Sequence, residues 1–294
     1  MLLVHYCTAR AGGQDSVIEL AACLPVEYDT RRIARIWRHN LILLTNDDGV
    51  DAPGLLALRL ALAPLDNVEI IAPDRNWSAA GHAKTMHRPL RIRPRQLRDG
   101  SPAFACDGAP SDCVAVALLG FLKESPRLVV SGINPNANVG SDLTYSGTVA
   151  AAMEAALSGI PSIAVSLETN DEFDDYRAAA QYARRLAALV LKEGLPPDTL
   201  LNVNVPALPE EKIRGVCVTR TGKRIYNDEL VERVDPRGHK YYWIGGDRPG
   251  GETELKGTDI WALANGYISI TPIHMDMTNH DLIEKMQGWT QHLG

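Results

Sequence analysis

A mostly parallel α/β sheet with helices on both faces, followed by a β-rich C-terminal appendage, is the fold class that this sequence predicts. Three observations carry the prediction. Short, almost wholly apolar runs recur between Leu41 and Pro206, as in strands buried on both faces. Helical patterns separate those runs, as βαβ units require. After Pro206, strand-like runs follow one another with no helical pattern between them.

The elements can be justified in order. "LILLT" (Leu41 to Thr45) reads as a short buried strand. "GLLALRLALAPL" (Gly54 to Leu65) reads as a helix stopped by Pro64. "VEIIAP" (Val68 to Pro73) is a second strand. "SDCVAVALLGFL" (Ser111 to Leu122) is a helix capped by Ser111 or Asp112, with Val114, Ala117, Leu118, Phe121 and Leu122 as its apolar stripe. "RLVVSGI" (Arg127 to Ile133) is a strand, and "SGTVAAAMEAALSG" (Ser146 to Gly159) is a helix ended by Gly159. "SIAVSL" (Ser162 to Leu167) is a strand. "YRAAAQYARRLAALVLKEG" (Tyr176 to Gly194) is an amphipathic helix with Tyr182, Leu186, Leu189 and Val190 on one side. "LLNVNVP" (Leu200 to Pro206) closes the series. "GVCVTR", "YYWIGG" and "GYISITPI" are the strands of the appendage, with a final helix over Asn279 to His292.

Bulk properties exclude several classes. With 294 residues, 45% of them hydrophobic, the chain can build one large domain or two small ones. A net charge of −6 argues against binding a nucleic-acid polymer. Five cysteines without a C-x-x-C suggest neither a disulfide framework nor a zinc site, and a reducing cytoplasm is the expected home. No apolar run approaches the roughly 18 residues of a membrane span. Residues 1–40 have no clear period and form an extension ahead of the core. "RRIARIWRH" within it is basic, so an interaction helix is the sharper alternative.

Ligands in an open parallel sheet bind beyond the carboxyl ends of the strands. Three loops fall there: "NDDG" after the first strand, "PDRNWSAAGHA" after the second, and "SGINPNANVGSDLTYSGT" leading into a helix. Asp47 and Asp48 offer anionic oxygens, and Ser78 and Asn134 neutral ones. An all-oxygen donor set suits Mg²⁺ or Mn²⁺. Two adjacent carboxylates are costly to bury unless a cation neutralises them. The turn at Gly49 lets both reach one ion, or lets one bind the ion while the other acts on water. Ser146, Gly147 and Thr148 begin a helix, where free N–H groups favour a phosphate. Each stretch also has a plainer explanation: a capped turn, an ordinary helix cap, a tight Gly- and Asn-rich loop. There is no P-loop and no dinucleotide fingerprint.

These residues resemble a known family. "ILLTNDDGVDAPGL", "VEIIAPDRNWSAAG", "GAPSDCVAVAL", "LVVSGINPNANVGSDLTYSGTVAAAMEA", "LNVNVP" and "GYISITPIHMDMT" are similar, in order, to the SurE survival proteins, metal-dependent 5′/3′-nucleotidases. The resemblance covers Leu41 to the C-terminus. It implies a Rossmann-like core over residues 41–206 and an appendage over 207–294 that exchanges between subunits, giving a homodimer or homotetramer. It implies one divalent metal ion per subunit, Mg²⁺ or Mn²⁺, held by Asp47, Asp48, Ser78 and Asn134. It implies hydrolysis of nucleoside monophosphates, with polyphosphate as a further substrate. Asp47 and Asp48 are then the catalytic pair, and Asn46, Asn138, Ser146, Gly147 and Thr148 bind phosphate or substrate. Two positions depart from the pattern: Ala79 stands where a Gly follows Ser78, and Asn136 where a Gly lies in the third loop. His274, Asp276 and His280 are either a proton-transfer group or a pairing that fixes the last helix.

Two rivals remain. A phosphatase forming an aspartyl-phosphate needs two Asp separated by one intervening residue and a downstream Lys, which the adjacent pair of "NDDG" fits poorly; a burst of covalent phosphoprotein would revive it. A non-catalytic nucleotide sensor on the same fold would show no turnover with saturating Mn²⁺. The extension yields the first prediction. Deleting residues 1–38 leaves phosphate release and solubility nearly unchanged, and loss of either shows that the segment packs on the core.

Overall fold

The computed structural model describes residues 40–170, 174–246 and 250–293. The expected extension therefore lies, apart from Asn40, outside the described residues. The core runs β1 (Leu41–Thr45), α1 (Pro53–Leu62), β2 (Asn67–Pro73), β3 (Ile92–Gln96), β4 (Pro102–Cys106), α2 (Pro110–Val116), β5 (Leu128–Asn134), α3 (Gly147–Leu157) and β6 (Ser162–Leu167). It continues with α4 (Arg177–Glu193), β7 (Thr199–Val205), β8 (Val216–Val218) and β9 (Arg224–Ile225). The tail holds β10 (Asp228–Val234), β11 (Lys240–Gly246), β12 (Gly250–Gly251), α5 (Asp259–Ala264), β13 (Ile268–His274) and α6 (His280–Gln287).

Nine strands form one sheet in the order β3-β4-β2-β1-β5-β6-β7-β13-β8. The strands from β4 to β7 in that order pair in parallel; β3 and β13 join antiparallel. Alternation along β1 explains the layers. Ile42 and Leu44 face one side, with Leu55, Leu58 and Leu62 of α1 and Ala179, Ala183 and Ala187 of α4. Leu43 faces the other, with Val114 of α2 and Ala151 and Ala155 of α3. All three β1 residues are 0% exposed, which is why the strand reads as one apolar run. The chain leaves β1 for β2 on one side and returns to β5 on the other, so the switch in strand order lies between β1 and β5.

Several elements differ from expectation. β3 and β4 were not legible as strands: β3 is an exposed edge with a proline inside it. α2 is capped from Ala109, whose N–H donates to Asp112 Oδ2 at 2.8 Å, so Asp112 caps from the first turn. On α4 the buried face is Ala178, Ala179, Ala180, Ala183, Ala187 and Val190, while Leu189 is 57% exposed. Small residues let α4 lie close to α1 and the sheet. Helix α5 interrupts the strands of the tail, and β8 and β13 extend the main sheet. Asp276 and His280, the first residue of α6, meet at 2.6 Å, the second of the two arrangements considered for them, with Asn279 capping that helix.

The tail grips the core through Asp259. This buried carboxylate accepts from the N–H groups of Gly140 (2.8 Å), Gly222 (2.7 Å) and Ile260 (2.8 Å). Beside it, Arg224 Nε donates to Asp142 at 2.6 Å, and Tyr226 donates to the same carboxylate. Asp259→Ala strands two loop amides, so chemical denaturation should register a loss of roughly 2–4 kcal/mol. A loss below about 0.5 kcal/mol would mean that water replaces the carboxylate.

Candidate active site

The end of β1 stays buried although its residues turn polar: Thr45, Asn46 and Asp47 are all inside. Gly49 makes the turn, with φ +106°, and a Cβ there would stand 3.3 Å from the Arg75 backbone. Asn46 closes the turn. Its Nδ2 donates to the Gly49 carbonyl at 2.9 Å, and its Oδ1 accepts from the Gly49 N–H at 3.2 Å. Both ends of the amide are thus engaged, and Asn46 is 0% exposed.

Asp47 points at the start of α3. Thr148 donates its hydroxyl to Asp47 Oδ1. Gly147 admits the carboxylate, since a Cβ on it would stand 2.7 Å from Asp47 Cβ. Burial pushes the Asp47 carboxyl above its ordinary value, while the Thr148 hydroxyl and the Gly147 and Thr148 amides pull it back down. A protein carboxylate therefore sits at the helix start where a phosphate was expected. Ser146 caps α3 by accepting from the Val149 N–H at 3.1 Å, which leaves its hydroxyl proton to donate.

Asp48 differs from its neighbour. Its Oδ2 is buried without a hydrogen-bond partner. Burial, then the Asp47 charge, pushes its carboxyl up to about 7. An orphaned buried oxygen beside a second carboxylate is the arrangement a divalent cation relieves.

The neutral donors arrive from neighbouring strands. Ser78 is exposed on the loop after β2, and the N–H of Trp77 before it donates to the Asp47 carbonyl at 2.7 Å. Farther along, the loop is pinned to α3: Glu154 meets His82 Nε2 at 3.1 Å and Lys84 Nζ at 2.6 Å. His82, then Lys84, holds the Glu154 carboxyl low. Asn134, at the end of β5, donates its Nδ2 to the Asn136 carbonyl, which directs Oδ1 away as a free acceptor. Asn138 is a structural hub. Its Nδ2 donates to Ser166 Oγ at 2.8 Å, and its carbonyl accepts from Asn202 (2.8 Å) and Asn204 (2.9 Å).

Among the described residues no three His, Cys, Asp or Glu side chains group as metal ligands. The two carboxylates, the Ser78 hydroxyl and the Asn134 amide oxygen are the candidate donors, and their chemistry suits a hard cation. A cavity of about 400 Å³ opens beside Asp48, bounded by Gly49, Arg75, Ile133, Pro135 and Tyr176. Tyr176 and Arg75 were not singled out by sequence reasoning. Tyr176 reads simply as a helix start, yet it follows β6 and so lies on the same sheet edge.

Residues 42–228 match the family described as survival protein SurE. The chain belongs to the SurE family. It is 54% identical over 249 residues to a 5′-nucleotidase SurE of Chloroflexus aggregans, covering 84% of this chain and 98% of that protein. It is 55% identical over 246 residues to a 5′-nucleotidase SurE of Herpetosiphon aurantiacus, covering 83% and 96%. Among solved structures, the SurE protein of Aquifex aeolicus superposes with a TM-score of 0.72 at 42% identity, covering 85% of this chain and 99% of that one. Of the two departures from the SurE pattern, Ala79 has a structural outcome, and at Asn136 only the backbone carbonyl is used, which any residue would supply. Ala79 takes a left-handed φ of 59°, a conformation that strains a residue with a Cβ. Asn136 supplies the carbonyl that orients Asn134.

The raised Asp48 value predicts a pH dependence. A carboxyl raised on folding lends stability below its ordinary value of 3.8 and loses it as pH rises through about 7. In EDTA, Asp48→Asn and the parent should match near pH 4. The variant should become more stable by roughly 1–3 kcal/mol at pH 8, with allowance for solvent on the open side. Parallel stability curves from pH 4 to 8 would refute the strained pair.

Proposed function

We propose that this chain is a metal-dependent phosphomonoesterase that releases phosphate from nucleoside 5′- and 3′-monophosphates. The carrying observation is the Asp47–Asp48 pair at the β1/β5 switch, with one carboxylate oxygen buried and unpartnered. The curated relatives named above are 5′-nucleotidases, which supports the reading. The family is metal-dependent in general, and Mg²⁺ or Mn²⁺, one per subunit, is the proposed ion.

Asp47, Asp48, Ser78 and Asn134 would hold the ion. When bound, such a cation polarises a phosphoryl oxygen and lowers the pKa of water. The remaining work belongs to the chain. Thr148 and the α3 start fix the Asp47 carboxylate in one direction. Asn46 fixes the turn that brings Asp48 beside it. Ser146, with its hydroxyl proton unspent, is the proposed contact to the phosphate, while the Gly147 and Thr148 amides are spent on Asp47. Asn46 and Asn138 act behind them, shaping the loops. The aspartyl-phosphate alternative gains no support, because the Asp47 carboxylate is already engaged by α3.

Asp48→Asn keeps shape and removes charge. Turnover of a nucleoside monophosphate panel with Mn²⁺ should drop at least about a hundredfold, and metal affinity should fall with it. EDTA should abolish the parent's activity, and metal add-back should restore it. Full activity in Asp48→Asn would end the metal-site reading.

We also propose a homodimer or homotetramer assembled through the tail. The β10–β11 hairpin exposes Leu230 (70%), Trp243 (64%) and Ile244 (81%), a surface that calls for cover. α6 and the turn after it expose Leu282, Ile283, Met286 and Trp289 as well. Light scattering at micromolar concentration should give at least twice the chain mass, and a monomer would overturn this. Cys106, Cys113 and Cys217 are free thiols, which supports a cytoplasmic location. No helix among the described residues is long and apolar enough to cross a membrane.

A further inference from the structure

The cavity beside Asp48 has a character of its own. Its volume of about 400 Å³ lies within the range of small-molecule sites. Ile133 and Pro135, on either side of Asn134, give it apolar walls. The Tyr176 ring forms another wall. A Cβ on Gly54 of α1 would stand 2.1 Å from the Ile133 carbonyl oxygen and 3.0 Å from the Tyr176 ring edge, so the glycine lets β5 and the ring close on α1. Asp48, Asp51 and Asp74 bring three carboxylates to the lining against one cation, Arg75. That cation is itself shared, at 3.3 Å from Asp74 and stacked 4.9 Å over Trp77.

Beyond Asp48, the Asp51 and Asp74 carboxylates repel a phosphate and accept hydrogen bonds. The cavity's occupant is neutral, flat on one side and rich in hydroxyl or amino donors. A nucleoside has that chemistry: a base to stack, and sugar hydroxyls for the carboxylates. We propose that this cavity holds the nucleoside half of the substrate, with the Tyr176 ring as the platform on which the base stacks. The proposal rests on the phosphomonoesterase reading, because it places the phosphate at Asp47 and Asp48 and the leaving nucleoside next to them. Tyr176 then sets specificity. It favours substrates with a base over bare sugar phosphates, and the carboxylates disfavour a second phosphate in the cavity.

The test compares AMP with ribose 5-phosphate, which lacks the base, for the parent, Tyr176→Ala and Tyr176→Phe. Base stacking on an aromatic side chain is worth about 1–3 kcal/mol. Tyr176→Ala should therefore lower the AMP to ribose 5-phosphate ratio of kcat/KM by at least about fivefold, mostly through KM for AMP. Tyr176→Phe should retain most of the ratio. Equal losses on both substrates would make Tyr176 a support for the Asp48 turn and overturn the proposal. Calorimetric titration of the unmodified protein with adenosine gives a second measure that needs neither turnover nor a folded variant. Saturable adenosine binding, with none for ribose, is expected, and no binding overturns the proposal. A parent without phosphatase activity that still binds adenosine would count against the phosphomonoesterase reading alone.

Discussion

Asp47 is the residue on which the architecture of the site turns. It ends a strand buried on both faces and reaches the start of α3, where Thr148 and the Gly147 amide receive it. A carboxylate in that position satisfies helix-start donors that would otherwise lack partners. The same contact fixes how far β1 stands from α3. Gly147 is part of the arrangement, because a side chain there would collide with Asp47. The strand direction fixes the rest. Once Asp47 faces α3, the turn at Gly49 leaves Asp48 with an unpartnered oxygen. Among the described residues no side chain partners it, so the fold carries an electrostatic cost at Asp48 of the kind a cation relieves.

Stability and function are therefore set against each other within two residues. Asp47 is tied down by donors on three sides. Asp48 is held in place mainly by the turn, and its charge is disfavoured. The loop carrying Ser78 repeats the pattern. It is anchored near its far end by Glu154, with His82 and Lys84, and by Asp112, which accepts from the Thr85 N–H at 2.9 Å. Its near end contains the strained Ala79 and the unpartnered indole nitrogen of Trp77. Strain collects where a ligand would bind, and anchoring collects one or two turns away.

The parts of the fold legible in the sequence share one property. β1 and β6 match their expected bounds to the residue, because both are wholly buried and flanked by polar turns. β3 was missed because an edge strand does not need an apolar run, and Pro94 and Arg95 hide its alternation; β4, inside the sheet, was missed because it is short and built of Pro, Ala, Phe and Cys. On α4 Val190 is buried and Tyr182 and Leu186 pack half-buried on the core as expected, but Leu189 is exposed and the rest of the buried face is alanine, which no apolar stripe of large residues announces. In the site, donor chemistry pointed to Asp47, Asp48, Ser78 and Asn134 as candidate ligands, and of these the structure gives Asp48 an orphaned buried oxygen. Donor chemistry could not separate a side chain facing a ligand from one spent on its own loop. Asn46 and Asn138 are polar, adjacent and on the correct edge, yet their amides serve Gly49 and Ser166. Tyr176 was missed for the opposite reason: its contribution depends on tertiary proximity across more than a hundred residues, which no local pattern records.

The tail is linked to this site by more than sequence order. Asp259 holds Gly140 and Gly222 together, and Arg224 and Tyr226 both reach Asp142. Gly140–Thr144 is the turn that delivers Ser146 and α3 to Asp47. A displacement of β9 is therefore felt at the start of α3 through two carboxylates, each with several partners. The exposed hairpin β10–β11 begins three residues after β9. Whatever covers that hairpin also constrains the strand whose arginine holds the α3 turn. The hairpin and the site are joined through these contacts, so a shift at the hairpin reaches the surroundings of Asp47 by way of Arg224, Asp142 and the α3 turn.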